Sequence, residues 1–247
     1  MPRAAREKSS SGIYHVMLRG INKQTIFEDD EDNERFLQTI ANTKKISMYE
    51  LYAYCLMGNH VHFLLKTVNE DLSQIFRRIG ASYVYWYNQK HNRTGHLFQD
   101  RYKSEIVDND RYFITVFRYI HNNPVKAGLC KSHEEYKWSS YGEYITKSQI
   151  VDCDFPVSII GAGNLEKLMY EESDEKCLEI AEESKRLKDE ELATEIEQRF
   201  GVKSLMIQSE PKAKRNQIPR DALTIEGVST RQLSRVTSVS SSVIWNL

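Results

Sequence analysis

Apolar and polar positions alternate with period two in four stretches of the first half of the chain, and with period 3.6 in three others. Residues 12–22, GIYHVMLRGIN, are alternating and β-rich, which predicts a strand. Residues 29–46 carry Phe36, Leu37, Ile40 and Ile46 at helical spacing, behind an acidic first turn that the helix dipole favours. Residues 48–57 and 60–66 read as two strands joined into a hairpin at the turn signal Gly58-Asn59. Residues 71–91 predict a long helix with Asp71 near its cap, and residues 102–108 a fourth strand. Residues 109–123 predict a helix stopped by Pro124, because the residue before proline is biased away from α geometry. The order β-α-β-β-α-β-α predicts an α+β sandwich, an antiparallel sheet with helices on one face.

Past residue 145 the strand pattern fades. Residues 174–201 are charged and favour helix. In 227–247 the apolar positions Val228, Leu233, Val236, Val239, Val243 and Ile244, with Ser229 and Ser240 as candidate N-caps, predict two short helices around a tight turn. That is helix-turn-helix spacing, with Ser238 at a turn position where glycine is common. The expected organisation is a domain over 1–145, an acidic helical linker over 146–210 and a helix-turn-helix-like segment over 211–247.

With 247 residues and 40% apolar content, the chain can build a real core in one large domain or two smaller ones. Its longest apolar runs are about five residues, far short of a membrane span. The basic, polar start MPRAAREKSS has no apolar segment behind it, so no secretory signal is expected. Cys55, Cys130, Cys153 and Cys177 are far apart and form no CxxC pair, and read as reduced thiols of a cytoplasmic protein. The net charge of −1 conceals a division. Residues 1–150 hold 21 Lys and Arg against 17 Asp and Glu, residues 151–210 hold 7 against 16, and residues 211–247 hold 6 against 2. Two basic modules around an acidic one suit a polyanionic partner, although charges of this size are also ordinary on a solvated surface.

The stretch YCLMGNHVHFLLK places two imidazoles in an apolar run. In a strand, residues two apart share a face, so His60 and His62 lie side by side while Val61 and Phe63 point into the core. Two such imidazoles can hold one divalent metal, or can be two half-buried polar groups on a solvated sheet face. A metal site for phosphoryl chemistry needs at least one more protein ligand. The third alternate position is Leu64, which argues against a histidine-triad hydrolase, and the H-x-T motif that a two-histidine phosphodiesterase needs twice is not supplied by this chain. On the helix 109–123, Tyr112 and Tyr119 are seven residues apart and share a face. Asn123 follows Tyr119 by four, whereas Val116 follows Tyr112 by four and cannot bind a metal. A phenol beside an amide, facing a two-histidine strand, makes a nucleophile and a third ligand; core packing is the other reading for both tyrosines.

YCLMGNHVHFLL, NRTGHLFQDRYKS and FRYIHNNPVKAGLC, in that order and spacing, resemble the single-tyrosine HUH transposases, in particular the REP-associated tyrosine transposases and their insertion-sequence relatives. The resemblance covers about residues 10 to 145. It implies a ferredoxin-like antiparallel sheet with helices, His60 and His62 as metal ligands, Tyr119 as the catalytic residue and Asn123 as the further polar ligand. It also implies Mg²⁺ or Mn²⁺, attack on single-stranded DNA with a 5′-phosphotyrosine link and a free 3′-hydroxyl, and recognition of a hairpin with a short flanking sequence. Both monomers and homodimers that swap the tyrosine helix occur in such families. For DNA contact, residues 77–103 interleave Arg77, Arg78, Lys90, Arg93, Arg101 and Lys103 with Tyr83, Tyr85, Trp86, Tyr87, Phe98 and Tyr102. Some of Tyr83, Trp86 and Tyr87 are expected in the core. His96 joins the site, contacts DNA or is structural, and Arg3 and Arg6 form either a basic arm or a plain tail. Two further readings stay open: a domesticated, non-catalytic DNA-binding regulator, and a metal-dependent phosphodiesterase that uses water.

Overall fold

The computed structural model describes residues 7–171, 177, 188–225 and 228–245. Contacts divide the chain into two compact units, Met1–Leu178 and Glu179–Leu247.

In the first unit the elements follow the predicted order: β1 (Ile13–Arg19), α1 (Asp30–Ser47), β2 (Glu50–Met57), β3 (His60–Lys66), α2 (Leu72–Lys90), β4 (Lys103–Ile106) and α3 (Asp110–Lys126). The strands pair antiparallel in the order β2-β3-β1-β4, the ferredoxin-like arrangement. Each long helix starts on a side-chain cap. Asp29, Asp71 and Asn109 accept the backbone N–H groups of Asp32, Gln74 and Tyr112.

Period-two alternation divides the sheet into two differently covered faces. Val16, Leu18, Val61, Phe63 and Leu65 pack with Phe36, Ile40, Ile75, Ile79 and Tyr83, so α1 and α2 cover one face. Ala53, Cys55, Met57 and Leu64 pack with Phe113, Val116, Phe117 and Ile120, so α3 crosses the other. This second face carries the even-numbered residues of β3, among them His60 and His62. Pro124 does not stop α3 as its position predicts. The helix runs two residues further, since proline costs it one N–H while the Ala127 N–H still reaches the Asn123 carbonyl at 2.9 Å. Gly128, at φ +69°, ends it.

Three short helices, α4 (Tyr141–Ile145), α5 (Asp154–Ile160) and α6 (Leu165–Tyr170), complete the described part of this unit. Val151, Leu168 and Met169 are buried in its cores, so the beginning of the acidic segment packs on the sheet domain. The second unit holds α7 (Asp189–Phe200), a 3₁₀ turn (Ser204–Ser209), α8 (Lys212–Ala222), α9 (Thr230–Thr237) and α10 (Ser241–Trp245) around Leu192, Ile196, Ile207, Ile218, Leu233 and Ile244. Ser229 caps α9 by accepting the Gln232 N–H, and Ser238 takes the left-handed turn conformation at φ 57°. The helix pair expected in 227–247 is therefore present among the described residues, with Gly227, Asn246 and Leu247 outside them. Among the described residues, no helix is long and apolar enough to cross a membrane.

Candidate active site

His62 sits in the middle of the sheet, paired with Met17 of β1 on one side and Cys55 of β2 on the other, and it is fully buried. Its ring lies 5.1 Å from that of His60, edge to face. Each imidazole is held through Nδ1. His60 Nδ1 is 2.7 Å from the Asn59 side-chain oxygen, and His62 Nδ1 is 3.0 Å from His15 Nε2. His62 Nε2 is buried and has no hydrogen-bond partner among the described residues. Asn59 is itself fixed from behind: its carbonyl accepts the Gly20 N–H at 2.9 Å and its amide donates to the Lys23 carbonyl. Only glycine fits at position 20, because a Cβ there would stand 2.2 Å from the Gln24 carbonyl oxygen.

The tyrosine comes from α3. The Tyr119 ring lies 5.4 Å from the His62 ring and 5.8 Å from the His15 ring, edge to face in both cases. It is partly exposed, and the Lys126 ammonium stands 5.9 Å above its ring. Asn123 lies one turn further on, where its amide donates to the Tyr119 carbonyl at 2.9 Å. Tyr112 points instead at Glu105 of β4, with an O–H to carboxylate distance of 2.5 Å.

Burial holds the histidines neutral. It pushes His60 down to about 4, with the Arg19 charge opposite adding to the effect. Burial likewise holds His62 well below the usual imidazole range, helped by the nearness of His15 and His60. His15 is lowered by burial, against the Glu105 carboxylate that raises it. Neutral imidazoles are what a metal requires, and the pair plus an amide and a phenol is a nitrogen–oxygen donor set suited to a divalent cation. Among the described residues, no group of three or more His, Cys, Asp or Glu side chains is gathered for metal binding.

The cationic residues expected to hold DNA are not gathered in one place. Lys103 is on the site face of the sheet, across β1 from His62, since both pair with Met17. Arg77, His96 and Arg101 are exposed around a cavity of about 400 Å³ floored by Leu18, Phe76 and Phe98, on the other side of β1. Arg78 is engaged by the Glu70 carboxylate at 2.7 and 3.2 Å. Arg93 donates to Gln24 and lies over the Tyr87 ring. Arg3 and Arg6 lie outside the described residues. Tyr83 and Tyr87 are core, while Tyr85 is 68% exposed. The loop bearing Arg93 and His96 is pinned at both ends. Lys90 and His91 bind buried Asp32 at 2.9 and 3.0 Å, and the Gln99 N–H bonds the Arg19 carbonyl at 2.9 Å.

Sequence reading missed His15, Arg19, Asn59, Glu105 and Lys126. The first two lie in alternation on β1, but only the β1–β3 register, His15 to Leu64 and Arg19 to His60, puts them on the histidine face.

A four-stranded antiparallel sheet with two neutral histidines under a tyrosine helix defines a class. Residues 8–123 match the family model described as "Transposase IS200 like". Within that class, the resemblance to REP-associated tyrosine transposases holds. The chain is 23% identical over 148 residues to a Haemophilus influenzae protein assigned to that group, covering 55% of this chain and 83% of the relative. A solved structure of a REP-associated tyrosine transposase bound to a REP hairpin has the same fold, with a TM-score of 0.51 and 16% identity, over 62% of this chain and 96% of the other.

Proposed function

We propose that this protein cleaves and rejoins single-stranded DNA next to hairpin-forming repeats, with Tyr119 as the nucleophile. The observation that carries this reading is the Tyr119 ring packed 5.4 Å from His62, whose buried Nε2 has no partner among the described residues. His60 and His62, with Asn123, would hold Mg²⁺ or Mn²⁺. The orphaned Nε2, the neutral rings and the mixed nitrogen and oxygen donors fit such an ion. When bound, the ion supplies positive charge to the oxygens of the scissile phosphate.

The chain's own residues do the rest. Tyr119 Oη displaces the deoxyribose 3′-oxygen at phosphorus: one P–O bond forms, one breaks, the phenol proton leaves and the departing 3′-oxygen takes one up. The 5′-phosphotyrosine link conserves the bond, so rejoining is the same step reversed and needs no nucleotide cofactor. Lys126 places a cation beside the phenol as charge develops there. The DNA partner is a single-stranded repeat hairpin, by analogy with the hairpin held by the structural neighbour. Lys103, Arg77 and Arg101 would present positive charge toward its backbone, with His96 beside the latter two.

The test uses purified protein with Mn²⁺ or Mg²⁺ and end-labelled single strands from the repeats flanking its gene, resolved on denaturing gels. A covalent adduct carrying the 3′ label, absent from Tyr119→Phe and from the His60→Ala/His62→Ala double variant, supports the reading. Cleavage that survives Tyr119→Phe without adduct would replace it with a water-using phosphodiesterase. Tight hairpin binding without cleavage under either ion would replace it with a non-catalytic binder.

A further inference from the structure

Behind His62 the structure carries a polar chain that the proposed chemistry does not itself require. His15 is completely buried, one strand away, with Nε2 3.0 Å from His62 Nδ1. Its other nitrogen, Nδ1, faces the Glu105 carboxylate at 3.9 Å. Glu105 accepts the Tyr112 hydroxyl at 2.5 Å, which ties the carboxylate to α3 two turns before Tyr119. These contacts join three strands and the tyrosine helix in one row that runs from partly exposed Glu105 to buried His15 and His62: Glu105 and His15 are cross-strand partners, as are His15 and Leu64, the next same-face residue after His62.

The row has a direction. A neutral imidazole has one N–H and one lone pair, so the contact between His15 Nε2 and His62 Nδ1 can carry its proton in two ways. If His15 donates, His62 bears its proton on Nε2 and has no lone pair to offer the site. If His62 donates, His15 Nε2 accepts, the His15 proton sits on Nδ1 facing Glu105, and His62 Nε2 has a free lone pair. The carboxylate can only accept, so it favours the second arrangement. Both outer nitrogens of the pair, His15 Nδ1 and His62 Nε2, are buried without a hydrogen-bond partner among the described residues, so the choice between the two arrangements falls to the Glu105 charge, which faces the first of them.

We infer that His15 is a positioning residue: with Glu105 behind it, it fixes His62 as the tautomer whose Nε2 carries a free lone pair beside the tyrosine. The inference rests on the reading of His62 as a metal ligand given above. It extends that reading to a carboxylate–imidazole–imidazole chain, one link longer than the usual carboxylate–histidine support of a metal ligand.

The experiment uses the full chain with ¹⁵N-labelled histidine, free of metal, together with a Mn²⁺ titration followed by electron paramagnetic resonance. In the wild type the His62 Nε2 resonance is expected at the position of an unprotonated nitrogen. In His15→Leu it moves to that of a protonated one, and Mn²⁺ affinity falls by about ten- to a hundredfold. His15→Gln, whose side-chain oxygen can accept from His62, keeps most of the affinity and the tautomer. Glu105→Gln mixes the two tautomers, and it serves as the deciding variant should His15→Leu fail to fold. A wild-type His62 protonated on Nε2 overturns the inference. So does a His62 tautomer and Mn²⁺ affinity unchanged in folded His15→Leu or in Glu105→Gln. A wild type that takes up no Mn²⁺ overturns the metal reading of the whole site, and the supporting role of His15 with it.

Discussion

The buried imidazoles make the stability of the first unit depend steeply on acid, and His121 allows the effect to be isolated. This residue is fully buried on α3 between Phe117, Tyr141 and Tyr144, with Nε2 2.7 Å from the Ser140 hydroxyl. Burial pushes it down to about 3. The unfolded chain protonates it near its ordinary value of 6.5, so the unfolded state binds more protons and stability falls as pH falls. The loss begins below 6.5 and continues until pH reaches the folded value. Between pH 7.5 and 5 it amounts to about 2 kcal/mol for His121 alone, from the difference in proton binding of the two states. His60, lowered to about 4, contributes similarly, and His15, His62 and His133 act in the same direction. Against a typical total of roughly 5–15 kcal/mol, the unit should be markedly less stable at pH 5 than at pH 7.5. Urea denaturation of metal-free protein at pH 7.5 and 5 measures the slope. His121→Leu should shrink the difference by about 2 kcal/mol. It leaves Ser140 satisfied, since that hydroxyl also accepts the Tyr54 N–H and donates to the Tyr54 carbonyl. Equal stability at the two pH values in the wild type, or an undiminished slope in His121→Leu, would refute the reasoning.

Three further outcomes are expected. Gly20→Ala forces the loop behind Asn59 to move and should cost about 1–3 kcal/mol, with faster amide exchange at Gly58 and Asn59 in hydrogen-exchange measurements. Arg77→Ala and Arg101→Ala should each lower the salt dependence of hairpin affinity by about one unit of log–log slope, whereas Arg78→Ala, whose charge is already engaged by Glu70, should change it little; fluorescence anisotropy over a range of salt reads both. Ser229→Ala removes the α9 cap and should destabilise the second unit by about 1 kcal/mol in a thermal melt.

Local periodicity carried most of the fold. The four strands, three long helices and terminal helix pair all follow from spacings of two and 3.6 within single stretches, and so do the pairing of His60 with His62 and of Tyr119 with Asn123 on common faces. What could not be read locally depended on register. His15 is as visible in the sequence as His62, but its meeting with His62 depends on strands 47 residues apart aligning Met17 with His62. Likewise, an amphipathic pattern shows that α3 covers a face of the sheet without showing which one. Charge counting also treated Arg78 and Arg93 like Arg101, because the carboxylate and amide that engage the first two come from elsewhere in the fold.

The loop that carries Arg93 and His96 leaves α2 where Lys90 and His91 are anchored to Asp32, and it is caught again at Gln99 by β1. So short a span between two fixed points cannot swing over an incoming strand as a lid does. A DNA backbone reaching this edge meets a rim whose shape was settled when the domain folded. The freedom that a longer, loose loop would surrender on binding is already gone. Recognition here should therefore be fast and limited by encounter, and lengthening the loop with inert glycines should slow it without removing a single contact.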